Sequence, residues 1–137
     1  MLYYKDTEQL YNILVPFFND LMNNPEIGPK VLASGLIIKF IYHDPEGVII
    51  IHLPNEEIIQ GDREEIKPDV IMSMNSDVAH RFWLGKVNLM AALTKGDIRA
   101  KGPIPKIMKL IPIIKGAYAI YKDYLKEKGF EELVNVE

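Results

Sequence analysis

Residues 36–53 read Leu-Ile-Ile-Lys-Phe-Ile-Tyr-His-Asp-Pro-Glu-Gly-Val-Ile-Ile-Ile-His-Leu, two apolar runs on either side of Asp44-Pro45-Glu46-Gly47. β-Branched and aromatic side chains suit a pleated strand, and a four-residue connection with proline and glycine suits a hairpin loop. The stretch predicts two antiparallel strands. Pairing His43 with Val48 across the loop sends Leu36, Ile38, Phe40, Tyr42, Ile49, Ile51 and Leu53 to one face, because successive side chains alternate. That face is wholly apolar and is the expected core side of a sheet. The other face receives Ile37, Lys39, Ile41, His43, Val48, Ile50 and His52, a mixed set suited to water or a partner.

Upstream, Asp6-Thr7-Glu8-Gln9 reads as a capping box ahead of Leu10, Ile13, Leu14, Phe17, Phe18 and Leu21, which share one helical face. Pro16 removes an intrahelical hydrogen bond, so that helix is expected to kink or restart there. Asn24-Pro25 and Gly28-Pro29 punctuate the chain before a short helical turn at Val31-Leu32-Ala33 that ends at Gly35. Downstream, Glu57-Ile58-Ile59-Gln60 is a third short strand, and the charged stretch from Gly61 to Lys67 is a loop closed by Pro68. Asp69 to Met74 makes a fourth strand with Val70, Met72 and Met74 on one side. Ser76 is placed to cap a helix carrying Val78, Phe82 and Trp83, and Gly85 to end it. Asn88 caps a second short helix, Leu89 to Thr94, stopped by Gly96. Ile98 and Ala100 alternate with Asp97, Arg99 and Lys101 as an edge strand whose charges discourage further pairing. From Pro103 to Lys128 a long helix closes the chain, with Ile104, Ile107, Met108, Ile111, Ile114, Tyr118 and Tyr121 near one stripe and Pro112 expected to kink it. Order and length define one α+β domain over residues 1–137.

Composition narrows the function. Apolar residues are 48% and charged residues 26% of 137, as in an ordinary globular chain. The first residues lack the basic-then-apolar pattern of a secretory signal, and no stretch approaches the roughly 20 apolar residues of a membrane span, so a cytoplasmic protein is expected. Cysteine is absent, which removes disulfides and thiolate chemistry. A net charge of −3 argues against nucleic acid as a partner. Basic residues nevertheless crowd between Lys95 and Lys126, where only Asp97 and Asp123 are acidic. The bland reading is a solvated helix face; the functional one is transient contact with an anionic membrane surface.

The segment from Asp69 to Leu110 resembles the sterol carrier protein type 2 family, the sterol-transfer domain. The residues that carry the resemblance are Asp69-Val70-Ile71-Met72, Ser76-Asp77, Leu84-Gly85-Lys86, Asn88-Leu89-Met90-Ala91-Ala92 and Gly96-Asp97-Ile98-Arg99-Ala100-Lys101-Gly102. The resemblance implies a five-stranded sheet with helices packed on one face, enclosing an apolar tunnel for sterols, fatty acids or acyl-CoA, and no catalytic residues. Peroxisomal members of the family end in a Ser-Lys-Leu type signal. This chain ends Val134-Asn135-Val136-Glu137, which does not support that address.

Noncovalent binding and carriage of a lipid-like ligand (sterol, fatty acid, acyl-CoA or isoprenoid) is therefore the expected function. The expected lining is Phe17, Phe18, Leu21, Ile38, Phe40, Tyr42, Met72, Phe82, Trp83, Met90, Leu93, Ile107, Met108, Ile111, Ile114 and Tyr118, each of which also reads as ordinary core. Flexible methionines would adapt to varied ligand shapes. No metal and no cofactor is expected. His43, His52 and His80 lack partners at metal-ligand spacing and read as surface residues or, for His80, a helix-end charge. Two rival readings stand beside carriage. One is an interaction or accessory module using the outer sheet face, with Ile37, Ile41, Val48 and Ile50 available for a homodimer. The other is an enzyme acting on a buried hydrophobic substrate, with Asp77, His80 or Tyr118 as acid or base.

Overall fold

A computed structural model describes residues 2–135; Met1, Val136 and Glu137 lie outside the described residues, so the end of the chain that argued against a peroxisomal signal is only partly covered. The helices are α1 (Thr7–Asn23), α2 (Gly28–Ala33), α3 (Ser76–Trp83), α4 (Leu89–Lys95) and α5 (Ile104–Glu127). The strands are β1 (Ile37–His43), β2 (Gly47–His52), β3 (Glu57–Gln60), β4 (Val70–Asn75) and β5 (Ile98–Lys101), in the spatial order β3-β2-β1-β4-β5. β1 and β4 run parallel while every other neighbouring pair is antiparallel. This is the α+β architecture expected from the sequence, a five-stranded mixed sheet with helices.

The start of α1 follows its sequence closely. The Asp6 carboxylate accepts from the Gln9 N–H at 2.8 Å, and the Gln9 side chain reaches back to the Lys5 N–H at 2.7 Å. Pro16 does not break the helix, which runs unbroken from Thr7 to Asn23 and buries Leu10, Ile13, Leu14, Phe17, Phe18, Leu21 and Met22. Packing of that face outweighs one missing hydrogen bond. Pro112 is likewise carried inside a continuous α5.

The hairpin differs from expectation in register. Tyr42 pairs with Gly47 and Ile41 with Val48, so the strands sit two residues from the pairing of His43 with Val48. A slip of two preserves both faces, and Ile38, Phe40, Tyr42 and Ile49 remain on the buried side. His52 lies opposite Ile37 instead of Lys39. The outer face is also less open than expected. Ile50, paired with Ile59 of β3, is buried with it outside the main core. From Gly61, bonded to Val48, to Asp69, bonded to Ile37, the chain must return past β2 and β1, and Lys39 on the outer face holds Asp62 at 2.7 Å. The charged loop therefore crosses that face, and of the four apolar residues expected to be available there Ile37, Ile41 and Val48 are half-buried and Ile50 is buried.

Between β4 and α3, Asn75 takes the capping position and Ser76 does not cap. The Ser76 hydroxyl instead donates to the Pro45 carbonyl at 2.7 Å, tying α3 to the hairpin loop. Gly85 closes α3 at φ 79°, with Lys86 N–H returning to Arg81, a glycine-dependent helix end. Asn88 caps α4 through the Ala91 N–H at 3.0 Å, as its sequence position predicts. No described helix is long and apolar enough to cross a membrane.

Candidate functional site

The inner half-layer between sheet and helices divides into two regions. At the end where β1 begins, α1 contributes Phe18, Leu21 and Met22, α2 and its lead-in contribute Ile27 and Val31, and the sheet contributes Ile38, Phe40, Ile51 and Met72. Trp83 from α3 and Leu110, Ile113, Ile114 and Ala117 from α5 complete a cavity of about 70 Å³. Every one of these side chains is predominantly apolar. Val31, Ile51, Ile113 and Ile114 are only half-buried and mark where the cavity meets the surface.

A second hollow lies on the far side of α5. It is a groove of about 340 Å³ between Gly85–Met90 and the α5 residues Ile111, Ile114, Lys115 and Tyr118. Ile114 lines both hollows and is the partition between them. The described interior thus holds a small cavity and a separate groove, where a continuous tunnel had been expected. Binding pockets for drug-sized molecules run to roughly 300–1,000 Å³. At about 70 Å³ the cavity falls well below that range, and a long hydrocarbon enters it only if its walls move apart.

At the other end of the sheet the interior is filled and polar. His80 is fully buried, a correction to its expected surface position. Its Nε2 lies 2.7 Å from the Leu133 carbonyl and its Nδ1 2.8 Å from the Tyr121 hydroxyl, which is 2.8 Å from the Tyr4 hydroxyl. A carbonyl only accepts, so Nε2 carries the proton, Nδ1 accepts from Tyr121, and Tyr121 accepts from Tyr4. Burial lowers the His80 pKa and pushes the Tyr4 and Tyr121 hydroxyls well above their ordinary values. The same chain of bonds joins the first residues, α3, α5 and the short turn Glu131–Leu133. Tyr42, stacked on Phe40 at 5.9 Å, has a buried hydroxyl with no protein partner.

An aromatic layer separates the two regions. Phe17 packs on Tyr121 at 4.6 Å and on Trp83 at 5.4 Å, while Phe18 stacks on Phe40 at 5.5 Å. Of the expected lining, the structure brings Phe18, Leu21, Ile38, Phe40, Met72, Trp83 and Ile114 to the cavity. Met90, Ile111 and Tyr118 face the groove with Ile114. Phe17 and Tyr42 belong to the aromatic layer and the polar end, Phe82 packs behind Trp83 at 5.1 Å, and Ile107 is buried beside Leu110 in α5 without lining either hollow. Leu93 lies half-buried on α4, and Met108 is exposed to solvent. Of the three methionines expected to cushion a ligand, only Met72 reaches the cavity, joined by Met22.

Missed by the sequence reading were Met22, Ile27, Val31, Ile51, Leu110, Ile113 and Ala117. On α5 the expected stripe was centred too far from the true one, which is marked by Ile107, Leu110, Ala117, Tyr121 and Tyr124. A small Ala117 between larger buried neighbours was the available signal. Of the three residues considered for an enzyme, Asp77 and His80 are neighbours one turn apart on α3, where the Asp77 carboxylate accepts from the Tyr3 N–H at 2.9 Å and His80 sits in the tyrosine cluster, while Tyr118 stands apart in the groove against Gly85.

A small α+β fold whose sheet and helices enclose an apolar cavity is the class that this geometry defines. The chain belongs to the SCP-2 sterol transfer family, whose model matches residues 18–115. Among solved structures it is similar to the sterol carrier protein domain 2 of Helicoverpa armigera, with a TM-score of 0.67, 19% identity, and 80% of this chain and 89% of that one covered. It is also similar to the ligand-free sterol carrier protein 2 of Yarrowia lipolytica, with a TM-score of 0.65, 18% identity, and 85% and 98% covered. A sec-alkylsulfatase from Pseudomonas sp. matches at a TM-score of 0.51 and 18% identity over 62% of this chain but 14% of its own. These likenesses concern the fold. No curated protein matches the chain.

Proposed function

We infer that the protein binds one lipid-like molecule noncovalently in the cavity under α5 and carries it in the cytoplasm without chemical conversion. The observation that supports this reading most is the cavity's lining, apolar throughout and drawn from α1, α2, the sheet, α3 and α5 in a chain of the sterol transfer family. Such a surface attracts hydrocarbon at roughly 25 cal/mol per Å² removed from water. It offers no charged or hydrogen-bonding side chain on which a reaction would depend, apart from the indole of Trp83.

Room for the ligand comes from the first half of α5. Pro112 cannot donate to the carbonyl of Met108, so the helix is weakest beside the cavity mouth. Moving Ile114 aside joins the cavity of about 70 Å³ to the groove of about 340 Å³ and brings the combined space into the range of a lipid site. Titration of purified, delipidated protein with a fluorescent acyl probe, with native mass spectrometry for stoichiometry, tests the reading. A saturable one-to-one complex is expected. Absence of uptake of acyl, sterol and isoprenoid probes alike would overturn it.

A further inference from the structure

The charge of the chain is divided unevenly. Residues 78–122 hold nine basic side chains and one acidic, Asp97, in a protein with sixteen basic and nineteen acidic residues. The remaining residues therefore hold seven basic against eighteen acidic. Every residue of α3 from Val78 onward, α4, β5 and most of α5 belongs to the basic portion. An acidic protein with one strongly basic pole is oriented by an anionic surface before it touches it.

Apolar side chains stand on that same pole. Leu2, Met90, Ile104 and Met108 are the exposed large hydrophobic residues among those described, and three of the four lie on α4 and α5. Ile104 is 72% exposed, Met90 52% and Met108 47%. At 3.6 residues per turn, Ile104, Met108 and Ile111 follow one another along α5, and Met90 faces Ile111 across the groove. Lys106, Lys109 and Lys115 of α5 and Lys86 at the groove edge are all exposed around them. Only Lys106 has an ion-pair partner among the described residues, Asp69 at 3.6 Å. Leaving isoleucine and methionine in water next to unpaired lysines gains nothing for folding.

We propose that the face formed by α4 and the first half of α5 docks on an anionic bilayer, with Met90, Ile104 and Met108 entering the acyl boundary and the lysines meeting the headgroups. Charge decides the occupant. A second copy joined symmetrically through this face would set lysine against lysine, whereas an anionic lipid surface complements them. Long flexible lysine stems also let apolar neighbours sink while the ammonium groups stay at headgroup level. The face meets the groove at Met90 and Ile111, and Ile114 links that groove to the cavity, so docking places the groove side of the proposed lipid site at the membrane. The proposal rests on that site for its purpose but not for its test.

The test is cosedimentation of the full chain with phosphatidylcholine vesicles with and without about 30% phosphatidylserine, at low and high salt. Binding is expected only to the phosphatidylserine vesicles and should weaken as salt rises. Ile104 and Lys109 line neither hollow. Ile104→Glu should reduce vesicle binding at least tenfold, and Lys109→Glu at least fivefold, because it removes one attracted charge and adds one repelled charge. Both should take up the acyl probe in the absence of vesicles as the unaltered protein does. Docking without probe uptake would sink the lipid-carrier reading and leave the membrane face standing. No binding to phosphatidylserine vesicles, binding indifferent to both substitutions, or self-association in sedimentation in place of vesicle binding would overturn the membrane face.

Discussion

His80 shows what a single side chain can conceal. In sequence it precedes Arg81 on a short helix and reads as a solvated charge, yet its partners Tyr121 and Leu133 are far away along the chain and no local pattern announces them. Its folded pKa lies below the ordinary 6.5, with burial as the main cause, so the unfolded chain binds the extra proton more readily. Stability conferred by neutral His80 is present above pH about 6.5 and declines as pH falls from there toward the lowered folded value. Urea unfolding at a series of pH values should show that decline, and His80→Gln, which does not titrate, should flatten it. The tyrosines give a contrast. Tyr121→Phe strands His80 Nδ1 and should cost about 1–3 kcal/mol, whereas Tyr42→Phe removes a hydroxyl that has no partner and should be neutral or stabilising. Equal losses from both substitutions would contradict the assigned network.

Elements were the most legible scale, because their signals are local. Asp6, Asn88, Gly85 and Gly96 set helix ends where their side chains or φ angles require them. The hairpin's faces were legible for the same reason, while its register was not: alternation has period two and is blind to a slip of two. Long-range ties were also hidden. Asp69 accepts from the Ile37 N–H at 2.9 Å and approaches Lys106, so one carboxylate fixes the start of β1 against β4 and the start of α5. Gly102 completes the same corner. Its φ is 137°, and a β-carbon there would lie 2.5 Å from the Asp69 carbonyl. Gly102→Ala should therefore destabilise the protein by about 2 kcal/mol or more. Hydrogen exchange should localise the damage to the Ile98–Lys101 amides. Unchanged protection there would refute the close approach.

At the scale of the molecule, the sequence disclosed an excess of apolar faces but not where they leave a gap. Nine of the sixteen expected lining residues fell outside the cavity, four of them on α5, where a helical stripe only one residue out of phase points Met108 at solvent and leaves Leu110 and Ala117 unnoticed. The cavity is small, about 70 Å³, so on the proposed reading hydrocarbon uptake displaces the first half of α5. Ala117 offers the most direct test of that account. Ala117→Leu adds three carbons to a cavity of about 70 Å³, filling the void with little added surface in water. Acyl-probe titration of this variant beside the unaltered protein, with thermal unfolding of both, is the decisive measurement. The account predicts at least a tenfold loss of probe affinity with the melting temperature held or raised. Undiminished binding by a folded Ala117→Leu protein would show that the lipid does not enter beneath α5.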